Sequence, residues 1–335
     1  MTSTTPQPHD AIFKGLLGKP EHARSVLREL VPAAVAEAID WLSLTSVPGN
    51  FVDLELGQQY TDLLFSARWL DGSELLAYFL FEHQSAPPKK RDGPMAYRLL
   101  RYQVRIWEQW LGQNPEARTL PMIIPVVMYH GQAPWSDPRL FGDVLAVPPA
   151  VRSAVEPYLV QFRYLLNDLS AISDDELRAR AMTAVAKLVC LCLKHARTSP
   201  DFLAILSCWM DVVCEVARAP NGLAALAQVL CYILQVSEHV ERTELHALLA
   251  RELGPQAEEA IVTAGQRLIE EGRQLGREES RQTLQALLLQ QLRQRFGNQV
   301  DSATERRVTE APIAQLENWF RRVLSASTLG ELFAH

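Results

Sequence analysis

"YTDLLFSARWLDGSELLAYFLFEHQS", residues 60–85, sets two aromatic and aliphatic runs on either side of Asp71-Gly72. Branched and aromatic runs of this length favour strands, and Asp-Gly between them favours a tight reversal, so the stretch predicts a β-hairpin. The loop fixes the register. A three-residue loop, Asp71-Gly72-Ser73, sets Asp62 directly opposite Glu82, with their Cβ atoms about 5 Å apart. Gln84, two positions on, shares that face. A two-residue loop would oppose Asp62 to Phe81 and turn the two acids to opposite faces.

Two carboxylates meeting at a buried strand end are costly unless protonated, paired with a cation or placed on a metal. Oxygen ligands suit a hard divalent cation, Mg²⁺ first, with Mn²⁺ or Ca²⁺ as substitutes. Such an ion polarises a phosphoryl oxygen and acidifies a bound water for in-line attack. Gln84 would orient that water or hold a phosphate oxygen. The plainer alternative is that Asp62 opens one strand and Glu82 closes the next at their solvent ends; strand pattern alone weighs the two equally.

The segment after the hairpin favours the phosphate reading. Between Pro87 and Arg105 stand Lys89, Lys90, Arg91, Arg98, Arg101 and Arg105 against one acid, Asp92. Residues 93–111 read as a helix with Pro94 near its first turn. At helical spacing, Leu100, Val104, Trp107 and Leu111 form an apolar stripe, and Arg98, Arg101 and Arg105 lie across from it with Tyr102 at their edge. A basic face just past a metal site suits a phosphate backbone, whose contacts position without reading sequence. A solvated helix face is the commoner meaning of three such arginines.

Outward from there, residues 9–44 read as helical, "FVDLEL" (51–56) as a short strand, and "TLPMIIPVVMYHG" (119–131) as a buried strand with Pro125 as an irregularity. "VQFRYLLND" (160–168) reads as a last strand. From Ser173 the pattern is helical, opening on a capping signature and breaking at Gly254-Pro255. The expected organisation is therefore an α/β domain over 1–170, a helical domain over 171–254 and a helical tail over 255–335. In that tail Leu268 and Leu275 stand a heptad apart, so it serves equally for packing on its own domain or for joining a second copy.

The chain has 335 residues, 48% hydrophobic, with a formal net charge of -6, so a nucleic-acid partner must be met by a local basic surface. No apolar window reaches the length of a membrane span. The N-terminus has no signal-peptide core, and the five cysteines read as reduced, buried thiols, which fits the cytoplasm. There is no zinc spacing, no nucleophile elbow and no phosphate-binding glycine loop. His130, at the end of the "VVMYHG" strand, is a candidate proton relay or phosphate contact, although a lone histidine there is more often structural.

"HDAIFKGLL" (9–17), "YTDLLF" (60–65), "YFLFEHQS" (78–85), "YRLLRY" (97–102), "IW" (106–107) and "PVVMYHG" (125–131) followed by "PW" appear in that order. Together they resemble the recombination-promoting nuclease family, also labelled YhgA-like transposases, within the PD-(D/E)XK nuclease superfamily. The match is close over about residues 9–140. "LLLQQLRQRFG" and "LENWFRRVLSASTLGELF" also resemble the helical tail of such proteins. The resemblance implies a restriction-endonuclease-like mixed sheet flanked by helices, an all-helical C-terminal region, and a metal-dependent DNA endonuclease that promotes recombination. It implies Asp62 and Glu82 as metal ligands, with the His83 backbone carbonyl as a third and Asp10 as a further acid from the first helix. Gln84 falls where lysine usually stands; an amide hydrogen-bonds but carries no charge, so metal chemistry or a nearby cation such as Lys89 must carry more of the load. A degenerate nuclease fold that holds DNA or a protein without cutting is the rival reading.

Overall fold

The computed structural model describes residues 8–47, 63–73, 77–86 and 93–333. Two compact units divide the chain, one spanning Pro6–Ala264 and the other containing Gly265–His335.

The hairpin forms. Strand β2 (Leu63–Trp69) pairs antiparallel with β3 (Ala77–Gln84), and Leu63 faces Phe81. That is the register of the three-residue loop. Gly72 takes φ +78°, a left-handed conformation that strains any residue with a Cβ, and the Asp71 carboxylate accepts the Ser73 backbone N–H. Strand β1 (Ile39–Ser46) pairs with the other edge of β2, with a bulge between Asp40 and Thr45. Helical period predicts a helix through Leu44; instead helices α1 (Pro8–Ile12), α2 (Pro20–Leu30) and α3 (Ala33–Ala38) end before Ile39. The "IDWLSLTS" run that follows is drawn into the sheet, where Ile39, Trp41 and Leu44 are buried. The strand expected over "FVDLEL" (51–56) lies outside the described residues.

Helix α4 (Met95–Gln113) carries the chain from β3 over the sheet to β4 (Met122–Tyr129), which pairs parallel with β3. Strand β5 (Leu165–Asp168) adds parallel to β4, giving the order β1-β2-β3-β4-β5. Pro125 sits inside β4 opposite Leu80. Between β4 and β5 the chain makes short 3-10 turns around the one-turn helix α5 (Arg152–Val155). A mixed sheet with helices on it, followed by helices only, is the nuclease-like architecture.

The helical part of the first unit opens at α6 (Asp174–Ala179), where Ser173 and Glu176 form a reciprocal capping box. Helices α7 (Ala184–His195), α8 (Phe202–Ser207), α9 (Met210–Arg218), α10 (Gly222–Val236) and α11 (Arg242–Leu253) follow. Cys190 and Cys192 are fully buried in α7, and burial pushes the Cys190 thiol up to about 12, so both are inert. Cys208, by contrast, is exposed, and Cys214 and Cys231 are half-buried, which corrects the expectation of five buried thiols.

Gly222 opens α10 so close to the Val216 carbonyl that a Cβ would collide with it. Gly222→Ala is therefore expected to cost about 2–3 kcal/mol, the upper range for overpacking. A urea midpoint unchanged from wild type would contradict that close approach.

Helix α12 (Pro255–Phe296) begins in the first unit and supplies the second with its C-terminal turns. Leu288 and Leu292 pack there with Val308 of α13 (Ser302–Glu310), Leu316 and Trp319 of α14 (Ile313–Arg322), and Leu332 of α15 (Leu329–Phe333). The side chains of Leu268 and Leu275 lie outside the described residues.

Candidate functional site

Alternation along β3 sends its side chains to two faces. Tyr78 and Leu80 join the core cluster beneath α4, with Met95, Leu99, Tyr102 and Ile106. Phe79, Phe81 and His83 face the other way, where Trp41 packs on Phe79 and Phe13 packs on both Phe81 and His83.

Glu82 continues the α4 face and is 1% exposed. Its Oε1 accepts two donors: Arg98 Nη2 at 2.7 Å and Gln84 Nε2 at 2.9 Å. Arg98 is 7% exposed, so this is a buried ion pair braced by an amide. In so dry a setting the guanidinium, which stays charged, and the carboxylate each offset the cost of burying the other.

The structure separates the arginines that helical spacing groups together. Arg98 turns inward, while Arg101 and Arg105 are exposed, with Arg105 bonded to Glu108 at 2.9 Å. The expected apolar stripe is corrected as well. Val104 and Leu111 are exposed, and the buried line runs through Met95, Leu99, Tyr102 and Ile106. Tyr102 belongs to the core rather than to the edge of a basic face. Trp107 and Trp110 pack against that core from its margin. Asp62, Lys89 and Lys90 lie outside the described residues.

On the opposite face a second polar cluster forms that sequence spacing does not reveal. His83 Nε2 and His130 Nε2 stand 2.7 Å apart, and His83 Nδ1 lies 3.3 Å from the Asp10 carboxylate. The His9 ring packs 4.9 Å from that of His130, and His9 Nδ1 bonds the Tyr232 hydroxyl of α10 at 2.9 Å. All three histidines are buried. The bond with His83 holds the Asp10 carboxyl below its ordinary range. Burial, reinforced by His83, lowers His130 to about 2, and burial likewise lowers His9 to about 4, so both rings are neutral at pH 7. The cluster ties α1, β3, β4 and α10 together. It also engages Asp10 with His83, on the face of the sheet away from the Glu82 carboxylate. The His83 backbone runs within the β3–β4 ladder, opposite Met128.

Among the described residues, no group of three or more His, Cys, Asp and Glu side chains is arranged to hold a metal ion. Nor is any described helix long and apolar enough to cross a membrane. The described oxygen donor of the α4 face is the Glu82 carboxylate. It has the hardness for Mg²⁺, but one carboxylate is too few to hold that ion.

Residues 7–223 match the family described as "Putative transposase, YhgA-like". The chain is 30% identical over 268 residues to recombination-promoting nuclease RpnD of Escherichia coli O157:H7, covering 79% of this chain and 95% of that protein. It is 28% identical over 313 residues to the inactive recombination-promoting nuclease-like protein RpnE of Escherichia coli K12, covering 93% and 98%. Recombination-promoting nuclease RpnA of the same strain is 28% identical over 268 residues, covering 80% and 85%. No solved structure matches.

Proposed function

We propose, for a chain that belongs to the YhgA-like family of recombination-promoting nucleases in the PD-(D/E)XK superfamily, a DNA-binding module whose metal-dependent cleavage is weak. The observation that carries this is the state of Glu82. Its carboxylate is buried and already bound by Arg98 and Gln84, and the described residues contain no three-donor cation site. The reading is supported by RpnE, a relative named as an inactive recombination-promoting nuclease-like protein and matched over 98% of its length.

In this reading DNA is held by its backbone. Arg101 and Arg105 project from α4 into solvent, and Lys89 and Lys90 precede them in the sequence, so phosphate contacts are electrostatic and blind to sequence. Glu82 and Asp62 would hold Mg²⁺, the two acids that the sequence expects to face each other across a three-residue loop; the observed Leu63–Phe81 pairing is the register of that loop and supports the reading. Two carboxylates with several waters are an ordinary Mg²⁺ donor set. The ion, when bound, polarises a phosphoryl oxygen and lowers the pKa of a water. Gln84 orients the attacking water through its amide, and Arg98 keeps Glu82 ionised.

A second reading, a full endonuclease, is favoured by that same register and by the relatives named as nucleases, RpnD and RpnA. Plasmid DNA separates the two. Wild-type protein is expected to retard DNA in a salt-sensitive way and to nick it slowly with Mg²⁺, and Asp62→Asn and Glu82→Gln should abolish nicking while preserving retardation. Absence of retardation ends the proposal. Nicking that survives both substitutions removes the site, and rapid multiple-turnover cutting selects the endonuclease.

A further inference from the structure

Helix α4 buries one of its two tyrosines and shows the other to solvent. Tyr102 lies in the core beneath the helix, whereas Tyr97 is 48% exposed. Single exposed aromatics are ordinary on a protein surface, so placement decides what this one can do. Tyr97 stands in the first turn of α4, where its backbone N–H bonds the Pro94 carbonyl at 3.0 Å. It immediately precedes Arg98, whose guanidinium meets Glu82, so it belongs to the end of α4 beside the C-terminal end of β3. Gly93, at φ +72°, brings its backbone against the ring: a Cβ there would stand 3.5 Å from Tyr97 Cδ1.

Arg101 follows four residues later and is the neighbour of Tyr97 on the helix surface, with about 6 Å between their Cβ atoms. Among the described residues no carboxylate pairs with Arg101, while Arg105, one turn further on, is bonded to Glu108. One nucleotide covers that spacing from its base to its phosphate. Inside a duplex the faces of the bases are covered by their neighbours, so a ring on the side of a helix finds only sugar and phosphate there. In a single strand the faces are bare, and a base stacks on an aromatic ring whatever its identity.

We propose that Tyr97 makes α4 prefer single-stranded DNA, stacking on an unpaired base while Arg101 holds an adjoining phosphate. The proposal rests on the reading of α4 as the helix that grips the DNA backbone, and it adds the strandedness of the substrate. Arginine contacts alone would favour the duplex, whose charge is denser. The exposed ring reverses that order. No metal ion enters the argument.

The test is the affinity of the full chain, without divalent metal, for one oligonucleotide offered single-stranded or annealed to its complement, read by fluorescence anisotropy. Wild type is expected to bind the single strand at least about fivefold more tightly, the effect of one stacked base. Tyr97→Leu should bring the two affinities together, Tyr97→Phe should keep the preference, and Arg101→Gln should weaken both forms. Equal or tighter binding of the duplex by wild type overturns the proposal, as does a preference that survives in Tyr97→Leu. Should Tyr97→Leu fail to fold, the wild-type protein decides alone. A single strand carrying 5-iodouracil, irradiated in the complex, should crosslink to Tyr97, and crosslinks that avoid Tyr97 overturn the proposal. Duplex binding without a single-strand preference sinks this inference and leaves the DNA-binding reading standing; binding of neither form removes both.

Discussion

Glu82→Ala is expected to lower the stability of the protein by about 3–5 kcal/mol, quite apart from any effect on DNA. The substitution removes the carboxylate that neutralises a guanidinium only 7% exposed, and stripping one partner from a buried ion pair costs that much. Glu82→Gln should cost less, because an amide oxygen still accepts from Arg98 and Gln84, although the guanidinium charge stays unbalanced. For that reason it is the better variant for cleavage assays. The pair is also predicted to behave as a unit. Glu82→Leu combined with Arg98→Met should recover most of the loss, since well-packed apolar replacements of a buried pair are often neutral or stabilising. Urea denaturation of the single and double variants measures this. A double variant as unstable as Glu82→Ala would show that the cost lies elsewhere than in the unbalanced charge.

The face that Glu82 shares with Gln84 is legible in sequence because local chemistry fixes it. Asp71-Gly72 sets the loop, the loop sets the register, and strict alternation along β3 does the rest. Helix α4 was less legible, for a geometric reason. Leu100 and Leu99 are adjacent in sequence but lie 100° apart around the helix, so two apolar stripes can be drawn, and only the sheet beneath selects the one through Leu99. The stripe through Leu100 would place Arg98 at the surface rather than in the core. Met95, Leu99, Tyr102 and Ile106 are spaced four, three and four, a line at least as regular as the one through Leu100. Strand β1 is hidden in the sequence because the alanine-rich run ending at Ala38 passes into "IDWLSLTS" without a glycine or proline, and pairing with β2 overrides the local preference. The histidine cluster could not be read at all. His9, His83, His130 and Tyr232 are brought together by contacts of α1 and α10 with the sheet, and nothing in their sequence separation announces it.

That cluster should make the first unit acid-labile in a defined window. In the folded chain His130 is lowered to about 2 and His9 to about 4, chiefly by burial, from an ordinary value of 6.5. Both shifts are downward, so the unfolded chain binds more protons than the folded chain wherever pH lies between the folded and unfolded values. Stability is then fully present above about pH 6.5 and falls as pH drops, at about 1.4 kcal/mol per pH unit for each histidine. Between pH 6.5 and 4.5 the two together cost about 5 kcal/mol, comparable to the whole stability of many domains. Below about pH 4, where His9 is protonated in the folded chain too, His130 continues alone. His130→Gln removes one of the two titrations, so its stability curve should fall about half as steeply over that range, whatever the variant costs at neutral pH. Chemical denaturation of wild type and variant at half-unit intervals from pH 7.5 to 4.5 gives both slopes. Parallel curves would mean that His130 is protonated as easily in the folded protein as in the unfolded chain, and that its buried bond with His83 does not keep the proton away.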